Sequence, residues 1–223
     1  MKILDKRADL GHGDVKKLLF SLSVPTITSQ IVNMLYNLVD RVFIGHMQPA
    51  ETVGKLALTG VGVCLPIIMV ISAFASLMAI GGAPRASIAE GAGESEKSER
   101  IMGNCLTMLV ITALVLTVLF ESFAEPLLLM FGASENTIGY ALDYMRIYAL
   151  GTIFVQLTLG MNAYITAQGF ATVSMKTVLI GALLNTALDP LFIFVLGLGV
   201  RGAALATVIS QAVSAVWVMT FLT

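Results

Sequence analysis

The sequence has little charge, few cysteines and few histidines. Charged residues make up 12% of its 223 positions, about half the share of roughly 25% in soluble domains. Thirteen basic residues nearly balance 14 acidic ones, so the chain lacks the positive surface of a nucleic-acid-binding protein, and we predict no nucleic-acid partner. Cys64 and Cys105 lie singly in apolar runs, while His12 and His46 lie in polar segments without metal-ligand spacing. We therefore predict no disulfide, no metal site and no cofactor.

Hydrophobic residues make up 57% of the sequence, and they form runs long enough to cross a bilayer as helices. These runs leave no room for a soluble catalytic domain, so we predict that the protein is not an enzyme. The fold class predicted is all-α, a polytopic bundle of six transmembrane helices in the lipid bilayer. The predicted segments lie near residues 18–44, 54–82, 101–124, 138–166, 174–196 and 202–223. Residues 1–17 are predicted to form a polar cytosolic tail before this single domain, residues 18–223.

The basic residues predict the orientation of these segments. With a cytosolic N-terminus, the loops and tail on the cytosolic side carry most Lys and Arg, whereas the opposite side carries Lys55 and Arg201. Positively charged loops stay in the cytoplasm. We therefore predict a multi-pass protein of the inner (cytoplasmic) membrane. The cytosolic basic residues are Lys2, Lys6, Arg7, Lys16, Lys17, Arg85, Lys97, Arg100 and Lys176.

The first segment carries polar side chains on one helical face. At 100° per residue, five polar residues fall within an arc of about 80°, and Tyr36 lies on its edge. An ionisable group in hydrocarbon costs about 3 kcal/mol or more, so this face is predicted to turn toward a bundle interior or a water-filled cavity. The alternative is a surface pair of Asp40 with Arg41, or helix–helix hydrogen bonds. The five residues are Thr26, Gln30, Asn33, Asn37 and Asp40.

The fifth segment supplies a second intramembrane carboxylate. Asn185 and Asp189 are four residues apart, on one helical face, and Pro190 follows directly. Proline removes a backbone hydrogen bond and bends the helix, so the alternative is that Asp189 only caps a broken helix. Thr207 in the sixth segment and Asn162 in the fourth are further inward-facing candidates. Two carboxylates with amide and hydroxyl oxygens suit a proton or a hard cation such as Na⁺.

Several motifs resemble the multidrug and toxic compound extrusion (MATE) family. They are SVPTI, YNLVDRVFIGHM, GASENTIGYALDYMRIY, AQG, LLNTALDPLFIF and GVRGAALATVIS, and they occur in the family's order. The resemblance covers only the first of the family's two six-helix lobes. It implies a secondary transporter that exchanges H⁺ or Na⁺ for small-molecule drugs, often cationic, by alternating access.

The resemblance also implies roles for individual residues. Pro25 matches the proline at which the first helix bends. The positions implied to bind the coupling cation, H⁺ or Na⁺, are Asp40, Asn185, Asp189 and Thr207. The positions implied to line the substrate cavity are Asn33, Tyr36, Asn37 and Asn162.

The sequence stops at Thr223, at the end of an apolar run. We therefore expect half of a larger protein, whose partner is a missing C-terminal lobe or a second half-transporter. A non-transporting fragment or assembly subunit is the alternative, as is a lipid-linked saccharide flippase of the same superfamily. A flippase would be expected to line its cavity with several basic residues, of which this chain offers Arg41 and Arg146.

Overall fold

The computed structural model describes residues 14–223, except for the side chains of residues 50 and 51. Most of the tail predicted at residues 1–17, including His12, lies outside the described residues. Within the described part the chain is helical and contains no strand. The helices are α1 (Val15–Gly45), α2 (Lys55–Val63), α3 (Leu65–Gly91), α4 (Ser95–Met130), α5 (Ile138–Leu150), α6 (Thr152–Ala167), α7 (Ala171–Pro190) and α8 (Val200–Leu222).

Five stretches of these helices are long and apolar enough to cross a membrane, and α5 with α6 forms a sixth if the bent pair is one span. This finding confirms the predicted class, an all-helical polytopic bundle. The second predicted segment consists of α2 and α3, which meet at Cys64. The fourth consists of α5 and α6, which are bent by 57° relative to each other.

The bend between α5 and α6 lies at Gly151, where close packing favours a residue without a side chain. A Cβ atom at this position would collide with the side chain of Val208 on α8. The absence of a Cβ lets α8 lie directly against the bend, and α8 also packs against α5, α6 and α7. Helix α8, the sixth predicted segment, therefore lies at the centre of one side of the bundle.

Helix α1 packs mainly along α7, with smaller contacts to α2 and α8. Pro25 lies inside α1, which remains helical on both sides of it. Because proline has no N–H, the carbonyl of Ser21 loses its usual partner four residues on. Many apolar side chains of α1 are exposed, for example Met34 at 73%. In a multi-pass protein, lipid or another protein segment covers such a surface.

The buried apolar residues form two clusters. One surrounds Tyr144 and Met145 of α5, and the other surrounds Leu109, Met161 and Tyr164 between α3, α4 and α6. The buried polar side chains include two carboxylates, Asp40 and Asp189. Their location determines where the chemistry of this bundle lies.

Candidate functional site

Helix α7 ends with a buried carboxylate and amide on one face. Asp189 is fully buried and Asn185, one turn earlier, is 2% exposed. The amide Nδ2 of Asn185 donates to Asp189 Oδ1 at 3.2 Å and lies 3.4 Å from Thr207 Oγ1 on α8. Pro190 ends the regular helix, and the next five residues form a wider π-helical turn. The amide therefore joins the carboxylate of α7 to the hydroxyl of α8.

Helix α1 brings Asp40 to the same point. Asp40 is 8% exposed, and its carboxyl group lies beside that of Asp189, close enough for direct interaction. Oδ1 of Asp40 and Oδ2 of Asp189 are buried and accept no hydrogen bond. Two ionised carboxylates would repel each other here, and a proton or a cation between them would relieve that repulsion.

The burial of Asp40 argues against the surface pair with Arg41. Arg41 lines the cavity described in the next paragraph together with Asp40, but the Asp40 carboxyl group lies beside that of Asp189 inside the bundle. The alternative for Asp189, a helix cap alone, does not account for the second carboxyl group beside it.

One cavity reaches this pair at Asp40, which lines it, and is named the carboxylate cavity. It encloses about 500 Å³ together with its mouth. Tyr144 and Tyr148, one turn apart on α5, form part of its wall, with their rings stacked at 5.9 Å. The lining residues are Tyr36, Asn37, Asp40, Arg41, Val61, Leu65, Ile68, Tyr144, Tyr148, Thr207 and Gln211.

A second cavity lies farther along α7 and α8 and is named the amide cavity. It encloses about 410 Å³ with its mouth, and none of its lining side chains is charged. Tyr36, Thr207 and Gln211 line both cavities and therefore separate them. The lining residues are Asn33, Tyr36, Thr158, Leu159, Thr177, Val178, Gly181, Ala182, Asn185, Thr207, Ser210, Gln211 and Ser214.

The structure does not bring all of the predicted polar residues into these cavities. Thr26 and Gln30 on α1 are exposed, and the Thr26 hydroxyl donates to the carbonyl of Leu22. Other helices of this bundle therefore do not cover these two side chains, and for them the orientation toward a bundle interior or a water-filled cavity stays a prediction. Asn162 lines neither cavity, and its Nδ2 donates to the carbonyl of Ser174 at 3.3 Å.

Pro25 lies away from the carboxylates. It precedes Asp40 by 15 residues, or roughly 22 Å along a helix. Any influence of Pro25 on the site therefore acts through the direction of α1.

Sequence reasoning missed Tyr144, Tyr148 and Ser210. The two tyrosines are four residues apart on α5, a spacing that places aromatic rings on one helical face, so the signal was present. It did not distinguish a cavity wall from a core pair. Ser210 adjoins Gln211 in an apolar helix and carries no separate signal.

The donors at this site are oxygens. Within residues 14–223, no cluster of three or more His, Cys, Asp or Glu side chains could hold a metal ion. Two carboxyl groups with amide and hydroxyl oxygens suit a proton or a small hard cation such as Na⁺.

A family model for MatE matches residues 25–191. The chain belongs to the MatE family. The match includes α1 from Pro25 onward and all of α7 with Asp189, so it contains both carboxylates of the site.

MatE relatives resemble the chain in sequence and in fold. The multidrug export protein MepA of Staphylococcus haemolyticus is 30% identical over 203 residues, covering 91% of this chain and 44% of the relative. A crystal structure of MATE in the bent conformation has a TM-score of 0.85 and 28% identity, covering 94% of this chain and 46% of that one. A crystal structure of MATE in the straight conformation also has a TM-score of 0.85 and 28% identity, covering 94% and 45%.

The chain thus spans about half the length of the curated relatives and solved structures it matches. Its helices correspond to one lobe of a MATE transporter structure.

Proposed function

We propose that this chain is one lobe of a secondary multidrug transporter that exchanges H⁺ or Na⁺ for organic, often cationic, drugs by alternating access. It acts in the cytoplasmic membrane with a cytosolic N-terminus, and a C-terminal lobe or a second half-transporter completes it. Asp40, Asp189, Asn185 and Thr207 bind the coupling cation. Asn33, Tyr36 and Asn37 line the route of the substrate, and Pro25 is the hinge of α1.

One observation carries this proposal, the pairing of Asp40 with Asp189. The two residues are 149 positions apart in the sequence, yet their carboxyl groups meet in a buried place with unpartnered oxygens. Buried ionisable groups inside a membrane protein are costly and mark ion or substrate pathways. Asn162 is left out of the substrate route because it lines neither cavity.

The contacts of α1 suggest how cation binding is coupled to a change of shape. Asp40 is held on α1, whereas Asn185 and Asp189 are held on α7, and α1 packs mainly against α7. A proton or Na⁺ between the carboxyl groups draws the two helices together, and its loss lets them repel. A ligand shifts a conformational equilibrium only through its different affinity for the two states. Here the separation of the two carboxyl groups supplies that difference, and Pro25 is the point at which α1 bends.

The Asp40→Asn variant tests the proposal in membrane vesicles that carry the complete two-lobe protein. We expect the loss of at least about 90% of drug efflux driven by a H⁺ or Na⁺ gradient, because the amide cannot bind a proton or balance a cation. Asp143→Asn is the matched control, since Asp143 forms an exposed ion pair with Arg201 and lines neither cavity. Gradient-driven efflux by Asp40→Asn at the wild-type rate would remove Asp40 from the mechanism.

The chain spans about half the length of the relatives it matches, which suggests a second test. If the drug route lies between two lobes and a different polypeptide segment supplies the second, the purified 223-residue chain reconstituted alone gives no drug flux above that of empty liposomes. Flux by the chain alone would show that it completes the route by itself or as two copies.

A further inference from the structure

The amide cavity holds buried oxygen atoms that accept no hydrogen bond. They are Asn185 Oδ1, Ser210 Oγ and Gln211 Oε1. Asn185 and Ser210 are each 2% exposed, and all three residues line the cavity. A buried polar atom without a partner costs about 1–3 kcal/mol. Three such atoms around one cavity therefore favour an occupant that binds oxygen.

The hydrogen bonds around the cavity determine which atoms face it. Asn185 uses its Nδ2 on Asp189 and Thr207, which directs its Oδ1 away from the carboxylates. The hydroxyl of Ser214 donates to the carbonyl of Thr177, and that of Thr177 donates to Val173. Since these two hydroxyl protons are already used, the oxygens of Ser214 and Thr177 can offer only lone pairs to a ligand in the cavity.

The resulting surface is rich in acceptors and carries no formal charge. Its lining contains no Lys, Arg or His, and no Asp or Glu. An anion finds no cationic partner in this lining. A divalent cation is held by several carboxylates, which this lining lacks. A small monovalent cation fits neutral amide and hydroxyl oxygens, as it fits rings of carbonyls in ion channels.

We propose that the amide cavity is a second cation site, in which the oxygens of Asn185, Ser210 and Gln211 bind Na⁺. This inference rests on the proposed function, because it adds a second cation-binding site next to the carboxylate pair. Asn185 belongs to both sites, because its nitrogen donates to Asp189 and the residue lines the amide cavity with its oxygen unpartnered. Gln211 lines both cavities, so a cation leaving the carboxylates meets its oxygen.

The amide cavity extends away from the carboxylates along α7. Thr177 lies 12 residues before Asp189, or about 18 Å along the helix. With a cytosolic N-terminus, α7 begins on the cytosolic side. The second site therefore lies between the carboxylates and the cytosol, on an ion route inside this lobe.

Radioactive ²²Na⁺ binding to the purified full chain in lipid nanodiscs tests the proposal. The Asp40→Asn/Asp189→Asn background removes both carboxylates of the first site, so the remaining Na⁺ binding reports on the second site. In this background we expect saturable Na⁺ binding that Gln211→Leu weakens by at least about tenfold, since metal affinity falls 10- to 100-fold even when a supporting group is lost. Gln211→Glu is expected to strengthen binding, because it places a carboxylate in the cavity.

Gln156→Leu is the matched control. Like Gln211, Gln156 has a buried, unpartnered Oε1, but its Nε2 donates to the carbonyl of Ile71 and it lines neither cavity. We expect unchanged Na⁺ affinity for this variant. If Gln211→Leu does not fold, Ser210→Ala provides the same test with a smaller change.

A cavity filled by water alone gives a different result. In that case Gln211→Leu and Ser210→Ala leave Na⁺ affinity unchanged, or the Asp40→Asn/Asp189→Asn chain binds no Na⁺, and either outcome overturns the second site. Neither outcome contradicts the proposed exchange, which is tested separately by the drug efflux of the Asp40→Asn variant. A H⁺-driven transporter with no Na⁺ binding would thus remove the second site and leave the carboxylate mechanism in place.

Discussion

Two regions of the bundle bury polar side chains in different ways. The packed region lies between α3, α4 and α6 and contains Leu109, Met161 and Tyr164. Gln156 is buried on α6 and donates across to the carbonyl of Ile71 on α3 at 3.0 Å. It lines neither of the two cavities. The cavity region, between α1, α7 and α8, contains Asp40 and Asp189 and has both cavities beside it. Burial of an amide therefore does not by itself mark a site; a cavity beside a carboxylate does.

Removing volume from the packed region gives the largest change in stability that we expect from this comparison. Leu109 is fully buried, and Leu109→Ala leaves a void that close-packed neighbours fill only partly. We expect a loss of about 2–5 kcal/mol in unfolding free energy, measured by denaturant titration in detergent. The cation affinity of the folded fraction should be unchanged.

Leu114→Ala is the control on the same helix, because Leu114 is 60% exposed and its loss leaves no internal void. Equal destabilisation by the two variants would show that the region is not tightly packed.

Glycine-to-alanine substitutions compare the two regions directly. In the packed region, a Cβ at Gly82 would collide with the Tyr164 hydroxyl and lie 2.6 Å from Cys105 Sγ. Since Tyr164 is only 1% exposed and has little room to move, we expect Gly82→Ala to cost about 1–3 kcal/mol. The measurement is the midpoint of thermal unfolding in detergent.

In the cavity region, the nearest atom to a Cβ at Gly181 is Ser214 Oγ at 2.7 Å. This hydroxyl rotates into the cavity and gives up its bond to the Thr177 carbonyl, which in membrane proteins costs about 0.6 kcal/mol. The better helix propensity of alanine offsets that loss. Gly181→Ala should therefore leave the unfolding midpoint nearly unchanged while lowering Na⁺ affinity in the amide cavity. If Gly181→Ala were the more damaging of the two, the contrast between the regions would be lost.

The smallest effect is expected at the ion pair that joins α5 to α8. Arg201 donates to Asp143 at 2.8 Å, and both side chains are exposed, at 62% and 41%. Solvent screens such pairs, so Arg201→Ala should shift the unfolding midpoint by less than about 2 °C. A larger shift would show that this ion pair at the edge of the bundle holds α8 in place. Lys97→Ala, which removes an exposed pair with Glu94 at the start of α4, provides the reference.

Much of the site could be predicted, because a carboxylate in hydrocarbon is costly and an acidic residue in an apolar segment therefore indicates a functional position. Asp40 and Asp189 stand out in apolar segments, and in the structure both are buried, with their carboxyl groups side by side. The exposed position of Gln30 could not be predicted from α1 alone. Helical periodicity gives the angle between side chains but not which part of that arc another helix covers. Because α1 packs mainly along α7, only part of its polar face is buried.

The broken helices were harder to predict than the apolar runs. Hydropathy showed the segment at residues 138–166 as one span, whereas the structure bends it by 57° at Gly151. A glycine in an apolar run is common, and its role here comes from the close approach of Val208, which lies far along the chain. Tyr144 and Tyr148 line the carboxylate cavity because helices distant in the sequence pack beside α5, and the sequence of α5 alone does not show that packing.

The sequence by itself determined that the protein is a helical membrane bundle and that two of its carboxylates have to be sheltered, because hydrocarbon tolerates neither unpaired backbone groups nor isolated charge. Only the tertiary structure decided that Asp40 meets Asp189, that Asn185 lines the amide cavity with an unpartnered oxygen, and that Gln156 lines neither cavity. These outcomes depend on which helices touch and on the space left between them, and neither quantity is encoded in the periodicity of a single helix.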